Sequence, residues 1–516
     1  MNSRVNLKNI LIALLLSVAG FAYLTYYIFR ASVDVVASDY IRIINYYLPD
    51  VTDLKYLLSW EGIANIPFAF LMRYINVKFF NYSVFFDKIV GLVGLMIFNF
   101  VTVKYALENL QNKYIKIIVS IIITFISFSL MAWEMILNGT GYPHFITIGL
   151  IALTFNIVGA RPLLIIITSL LFAGSYSVAY LATLIIFSVI SIIATLRVKH
   201  INVGARPLAK PHVGASYASP VIIIIVSLIC LALYYKSSHS GEQLVPVGFQ
   251  DVTLKDIMEA DATFPIRFFL SSFASALIGV ETLMFAVTYG TITNAVIFII
   301  GIVYIIIMLW ALFVGIRDII SEKHRETETR SGEPTGEVTR MGELREPMPY
   351  LYMVYGLISV ALIFLARYRF VRADYGMSSR YAIQYMFLTI GIILILSKKI
   401  DTIISRDKSG PEATHSGEPA GKASCMGELR EPALLTLIVS ALAIFILVFG
   451  HIITTTDEMY KTDNRKLVYE FVENVAKNYH DYTDEQLMGT FEYFRSAEHI
   501  KNALGTLEDN HLNVFR

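Results

Sequence analysis

Charge is scarce in this chain of 516 residues. Asp, Glu, Lys and Arg together make up 16% of it, where a soluble domain carries about a quarter. The formal net charge is only +1, so no global field draws the chain to nucleic acid. Cysteine is nearly absent. Cys230 lies in an apolar run and Cys425 in a hydrophilic one, which offers neither a disulfide framework nor a cysteine-based metal spacing. There is no Walker loop, dinucleotide fingerprint, HExxH or zinc spacing, so ATP-driven transport by this chain alone has no support. No small-residue cleavage site follows the first apolar run, which therefore reads as a retained span rather than a removed signal peptide.

Apolar residues fill the space that charge leaves. They are 56% of the chain, with 33 Phe and 31 Tyr, as lipid-facing and interfacial positions require. Apolar runs of bilayer length recur along the sequence, and the weak alternation of a membrane barrel is not seen. The expected fold is an all-α integral membrane protein of about eleven transmembrane helices. Spans are expected near 10–29, 89–105, 117–133, 145–159, 221–235, 295–315, 351–366, 381–396 and 434–450, with two short ones in 163–196 broken at Gly174–Ser177. Arg4 and Lys8 precede the first span, which predicts a cytoplasmic N-terminus. Residues 1–451 would form the polytopic domain, with large extracytoplasmic loops at 30–88 and 236–294. Within the second loop, 268–289 reads as a half-inserted or surface segment. Residues 452–516 would form a helical extracytoplasmic tail, with a capping-box pattern at Thr483 and Gln486.

One internal repeat stands out. Residues 331–347 and 416–432 match at 12 of 17 positions and sit in loops two spans apart, hence on one face. The spans around them do not repeat, so this is no duplicated fold. The segments read as disordered insertions tolerated in exposed loops; a duplicated docking peptide is the functional alternative.

Candidate chemistry gathers outside the bilayer. The 30–88 loop carries helical periodicity at Ile41, Ile44 and Leu48, stopped by Pro49. A second short helix is capped by Thr52, and a third starts at Pro67. These suit helices lying on the membrane surface. Asp34 and Asp39 follow the first span closely, where acids can serve as a general base or metal ligands, or can be plain solvated loop acids. Glu61 follows Trp60 in the same loop. Glu134, Glu281 and His144 sit at expected membrane boundaries, where such residues more often simply end a span. The short loop before the span at 381–396 holds Arg367, Arg369, Arg372 and Arg380. Guanidinium forks match phosphate oxygens. If the span count were off by one, the same arginines would be ordinary inner-face charge.

The layout of a single span, an acidic outer loop with surface helices and then many spans resembles the GT-C class of membrane glycosyltransferases. The resemblance is carried by SVDVVASDYIRIINYY with Asp34 and Asp39, by WEGIANIPFAFLMRYINVKFFNYS, by Ser379-Arg380-Tyr381 and by ALGTLEDNHLNVF. The two aspartates are five apart, whereas the class often shows adjacent or alternating acidic pairs. The resemblance implies a bacterial inner-membrane enzyme that moves a sugar from a polyprenyl-phosphate donor to a cell-envelope glycan or lipid acceptor. Asp39 would be the base and Asp34 its orienting or metal-binding partner. Arg372 and Arg380, with Arg369, Glu61 and His144, would bind substrate. No cofactor is implied firmly, and a divalent metal stays an open option. The rival classes are a transporter or flippase for a lipid-linked sugar and a non-catalytic partner in surface-polysaccharide assembly.

This topology has a direct test. In a chain lacking Cys230 and Cys425, single cysteines beside Asp39, beside Arg372 and in the tail should react with an impermeant thiol reagent on intact cells, while one in 409–432 should not. Labelling of the 409–432 loop with Arg372 silent would reverse the assignment.

Overall fold

The computed structural model describes residues 6–48, 51, 67–157, 177–201, 214–238, 250–328, 347–408, 431–493 and 495–516. Among these the chain is all-helical, with no strand. The order begins with α1 (Leu7–Ala31), α2 (Asp39–Tyr47), α3 (Pro67–Phe80), α4 (Val84–Asn109), α5 (Lys113–Ser127) and α6 (Trp133–Leu137). It continues through α7 (Tyr142–Ile157), α8 (Val178–Ile201), α9 (Gly214–Ser238), α10 (Leu254–Ala260), α11 (Phe264–Leu277), α12 (Val280–Thr288) and α13 (Asn294–Glu328). It ends with α14 (Met348–Arg367), α15 (Ala382–Lys408), α16 (Glu431–Tyr460), α17 (Thr462–Lys477), α18 (Asp484–Thr490) and α19 (Ala497–Asp509).

Six helical stretches among the described residues are long and apolar enough to cross a membrane: Leu7–Ala31, Val84–Asn109, Lys113–Leu137, Asn294–Ile319, Met348–Phe370 and Pro432–Tyr460. A seventh arises if α11 and α12, which turn by 109° at their junction, count as one broken span. These six coincide with expected spans. The others fall on α7, α8, α9 and α15, and part of 163–196 lies outside the described residues, so six or seven spans are supported among the described residues and the count of eleven is not confirmed. The last span also runs ten residues past its expected end at 450, because Thr454, Thr455 and Glu458 are buried against neighbouring helices and keep the helix wound.

The core of the bundle is α15, whose Phe387, Leu388, Ile390, Ile393 and Leu396 are fully buried. Phe387 meets Phe98 and Tyr352 edge-on at 5.0 and 4.9 Å, the geometry that ring quadrupoles favour. Hydroxyls tie helices across the bundle, with Tyr352 to Thr102 at 2.8 Å and Tyr304 to Thr389 at 2.9 Å. The backbones of α4 and α7 touch through glycines. A Cβ on Gly149 would meet the Gly94 carbonyl oxygen at 2.6 Å, the close approach that small residues permit between membrane helices.

Both large polar segments gather at one end of the bundle. There α2 and the link 32–38 share a second core with α17, α18 and α19, including Tyr40, Ile44, Val475, Phe491, Ile500 and Leu504. The tail is thus one half of a cap whose other half is the first loop. Asn513 stitches them: its amide oxygen accepts from the Val36 N–H at 3.3 Å, and its amide nitrogen donates to the Tyr82 carbonyl at 2.9 Å. The capping box at Thr483 and Gln486 forms as expected and starts α18. At the opposite end Asp401 accepts from the Gln111 and Asn112 N–H groups at 2.6 and 2.8 Å. The helix at Thr52 and the repeat segments lie outside the described residues, apart from the edges of the latter.

Asp34 holds the cap to the bundle. Its carboxylate accepts from the Ser83 hydroxyl (2.8 Å) and the Val84 and Phe85 N–H groups (2.6 and 3.3 Å) at the start of α4, and from Arg516 at 2.9 Å. It fills the orphan donors of a helix N-terminus. Asp34→Ala should cost about 2 kcal/mol, read as a lower Tm in detergent, whereas Arg516→Ala, at an exposed pair, should cost under about 1 kcal/mol. An unchanged Tm for Asp34→Ala would remove this capping account.

Candidate functional site

Between cap and bundle lies a cavity of about 950 Å³. One wall comes from the first loop (Ser38, Tyr40), one from α6 (Trp133, Glu134), one from α12 (Glu281, Phe285), and the rest from the tail (Lys461, Arg465, Tyr469, Phe491). Aromatic rings and charged groups both line it, beside aliphatic side chains. That is the composition of a pocket for a polar ligand with an apolar body.

Arg380 enters the cavity from a run of tight turns, 373–381. Those turns are fixed from below: the Tyr385 hydroxyl donates to the Gly376 carbonyl at 2.6 Å, and a Cβ on Gly376 would strike Ser272 and the Phe268 ring. Arg380 pairs with Glu134 and lies 3.8 Å from Asp39. The Ser379 hydroxyl donates to the other Glu134 oxygen at 2.8 Å. Burial works against the Arg380 charge, but the charges of Glu134 and Asp39 outweigh it, so its pKa is raised. Asp39 sits at the first position of α2, where a helix N-terminus favours a carboxylate. The preceding Ser38 has a left-handed backbone (φ 52°), and its N–H donates to the Phe491 carbonyl at 2.9 Å. The tail therefore sets the angle at which α2 begins.

A second charged group faces the first. Arg465 on α17 bonds Glu458 at 2.7 Å, pairs with Glu281 on α12, and lies 3.2 Å over the Trp133 ring. The hydrogen bond and charge of Glu458 outweigh burial and hold Arg465 above the ordinary arginine range. Lys461 bonds Asp457 at 2.8 Å and lies 3.9 Å from Glu281. Thr282 donates to Asp457 at 2.7 Å, and Tyr27 donates to Glu458 at 3.0 Å.

The structure brings Asp39 and Arg380 together and places Arg380 and the boundary acids Glu134 and Glu281 in the cavity wall; Asp39 itself lies outside the lining, although its neighbours Ser38 and Tyr40 belong to it. Asp34 is engaged at the start of α4, with both oxygens occupied. Arg372 pairs with Asp374 two residues on, and Arg369 bonds the Tyr368 hydroxyl; neither lines the cavity. His144, in the first turn of α7, lies within electrostatic reach of Asp39 and Arg380 but outside the cavity lining. Glu61 lies outside the described residues. Lys461 and Arg465 were missed because the tail read as a separate unit. Their signal was present as Asp457, Glu458, Lys461 and Arg465 on one helical face at the end of a span.

Among the described residues no group of three or more His, Cys, Asp or Glu could hold a metal ion. Asp39 and Glu134 flank a guanidinium instead, so these residues do not fit a metal and no step is routed through one. Comparison with known proteins gives no family model that matches, and no match among curated proteins or solved structures.

The Arg380–Glu134 pair is half-exposed, at 42% and 27% of its side-chain surfaces. Each of Arg380→Ala and Glu134→Gln should therefore cost no more than about 1 kcal/mol. The double variant should cost clearly less than the sum, measured as a thermodynamic cycle in detergent. Strict additivity would show that the two groups do not interact.

Proposed function

We propose that the cavity is the transfer site of a GT-C-like membrane glycosyltransferase that takes a sugar from a polyprenyl-phosphate donor to an envelope glycan or lipid acceptor on the extracytoplasmic face. The observation that carries this reading is Arg380 held between Asp39 and Glu134, on three different segments, at the rim of an aromatic-walled cavity. Sugar transfer needs a base for the acceptor hydroxyl and a positive group for the departing phosphate. Asp39, with 45% of its side chain exposed, is the accessible carboxylate for the first role. Arg380 is the accessible cation for the second, since Arg465 and Lys461 expose only 16% and 22%. The carboxylates and aromatic faces suit sugar hydroxyls and ring faces. Asp34, occupied by the start of α4, would act by holding the cap in place rather than at the reacting atoms.

A second reading has its own observation. The 109° break between α11 and α12 puts Glu281 and Phe285 into the cavity, and transporters build binding sites from broken helices. It would make the protein a carrier for a lipid-linked sugar.

The test is transfer by the purified protein in lipid vesicles, with a panel of labelled polyprenyl-phosphate sugars. Wild type should release polyprenyl phosphate. Asp39→Asn should lower turnover by about 10²–10⁴-fold, and Arg380→Ala by about 10²-fold or more. Full activity in both variants would sink the role assignment. Translocation of intact donor without transfer would favour the carrier.

A further inference from the structure

Helix α17 carries three faces rather than two. Arg465, Tyr469, Val472 and Ala476, spaced by one turn, point into the protein: Val472 and Ala476 are buried in the cap core, and Arg465 is locked to Glu458. Lys466, Glu470, Glu473 and Lys477 form a charged face, paired as Lys466–Glu470 (3.9 Å) and Lys477–Glu473 (2.7 Å). Between these lies an apolar face of Leu467, Val468 and Phe471, which are 62%, 61% and 55% exposed. A soluble cap has no use for such a face beside a charged one.

The span that leads directly into α17 carries an exposed apolar face of its own. Helix α16 exposes Leu435, Ile438, Leu442, Phe445, Phe449 and Ile452, one unbroken stripe at alternating three- and four-residue steps along a membrane-length span. At the top of that span Tyr460 is 90% exposed, and α17 begins two residues later. The neighbouring α12 adds exposed Phe285 and Tyr289 at the same level as the Lys461 contact. An exposed apolar sector with a charged sector beside it is the pattern of a helix lying in the lipid–water boundary, and Tyr is a residue of that boundary.

We propose that α17 is seated in the membrane interface, with Leu467, Val468 and Phe471 in the acyl–headgroup boundary and Lys466, Glu470 and Lys477 in water. Because Arg465 leaves the same helix toward the protein, and Val468 and Tyr460 also line the cavity, this seating sets the cavity mouth at headgroup depth. The inference rests on the exposed faces of α17, α16 and α12 and does not depend on the proposed reaction.

The test uses the full chain in vesicles of phosphatidylethanolamine and phosphatidylglycerol, with Cys230 and Cys425 replaced and spin labels placed singly at 466, 467, 470 and 471. Labels at 467 and 471 should collide with oxygen severalfold more, relative to a water-soluble nickel chelate, than labels at 466 and 470. A higher chelate accessibility at all four sites overturns the proposal. So does shielding of 467 and 471 from both probes, which would mean that a second copy of the chain covers the face. As a variant that keeps a bulky ring in place, Phe471→Trp should add fluorescence that acyl-chain nitroxide lipids quench; unquenched emission equally overturns it.

Discussion

Charge at the edge of a bilayer has to be answered by charge, and the Arg465 junction is where this molecule answers it. Glu458 is buried in the last turn of α16, Glu281 stands at the break between α11 and α12, and Trp133 begins α6. A carboxylate buried alone costs several kcal/mol. A single guanidinium from α17 satisfies Glu458 and Glu281 and covers the indole face. Three membrane-associated elements and the tail are thereby joined at one point, and the cavity is the space left above it. Such a junction adds little net stability against an apolar equivalent. What it does is fix the tail in one register on the bundle.

From that register the rest of the cap follows. With α17 anchored, Phe491 reaches the Ser38 N–H and Asn513 reaches Val36 and Tyr82. The link between α1 and α2 has few backbone partners of its own, so its shape is borrowed from residues more than 400 positions away. The helix itself is a local matter, but the backbone just before Asp39 is held by the tail, through the Ser38 N–H on the Phe491 carbonyl.

This explains what could be read in the sequence and what could not. Six spans were legible because lipid demands about 20 apolar residues in a row, and that demand is local. The helices at Asp39–Tyr47, Pro67–Phe80 and Asp484–Thr490 were legible from periodicity, proline and capping, which are local too. The pairing of Asp39 with Arg380 was foreshadowed only as two clusters expected on one face. The difference between Asp34 and Asp39 was not legible: both are aspartates just after the first span, and only the position of the α4 N-terminus makes one a cap. Lys461 and Arg465 were hidden by treating the last span as ending at 450. The buried acid that prolongs α16, Glu458, is recognisable only once its partners on α1 and α17 are placed.

The balance of charge in the cavity constrains any ligand. Among the described residues three cations line it, Arg380, Lys461 and Arg465, against four carboxylates, Glu134, Glu281, Asp457 and Glu492. An anion entering this space gains nothing from the net field and must compete for a cation already held. Arg465 cannot be released without stranding buried Glu458. Lys461 is shared between Asp457 and Glu281. Arg380 differs, because its partner Glu134 keeps a hydrogen bond from Ser379 and its second carboxylate, Asp39, is half in solvent. Turning Arg380 toward a phosphate would therefore free Asp39 from its counter-charge in the same motion. In the proposed reaction that is the moment at which the carboxylate has to reach the proton of the acceptor hydroxyl.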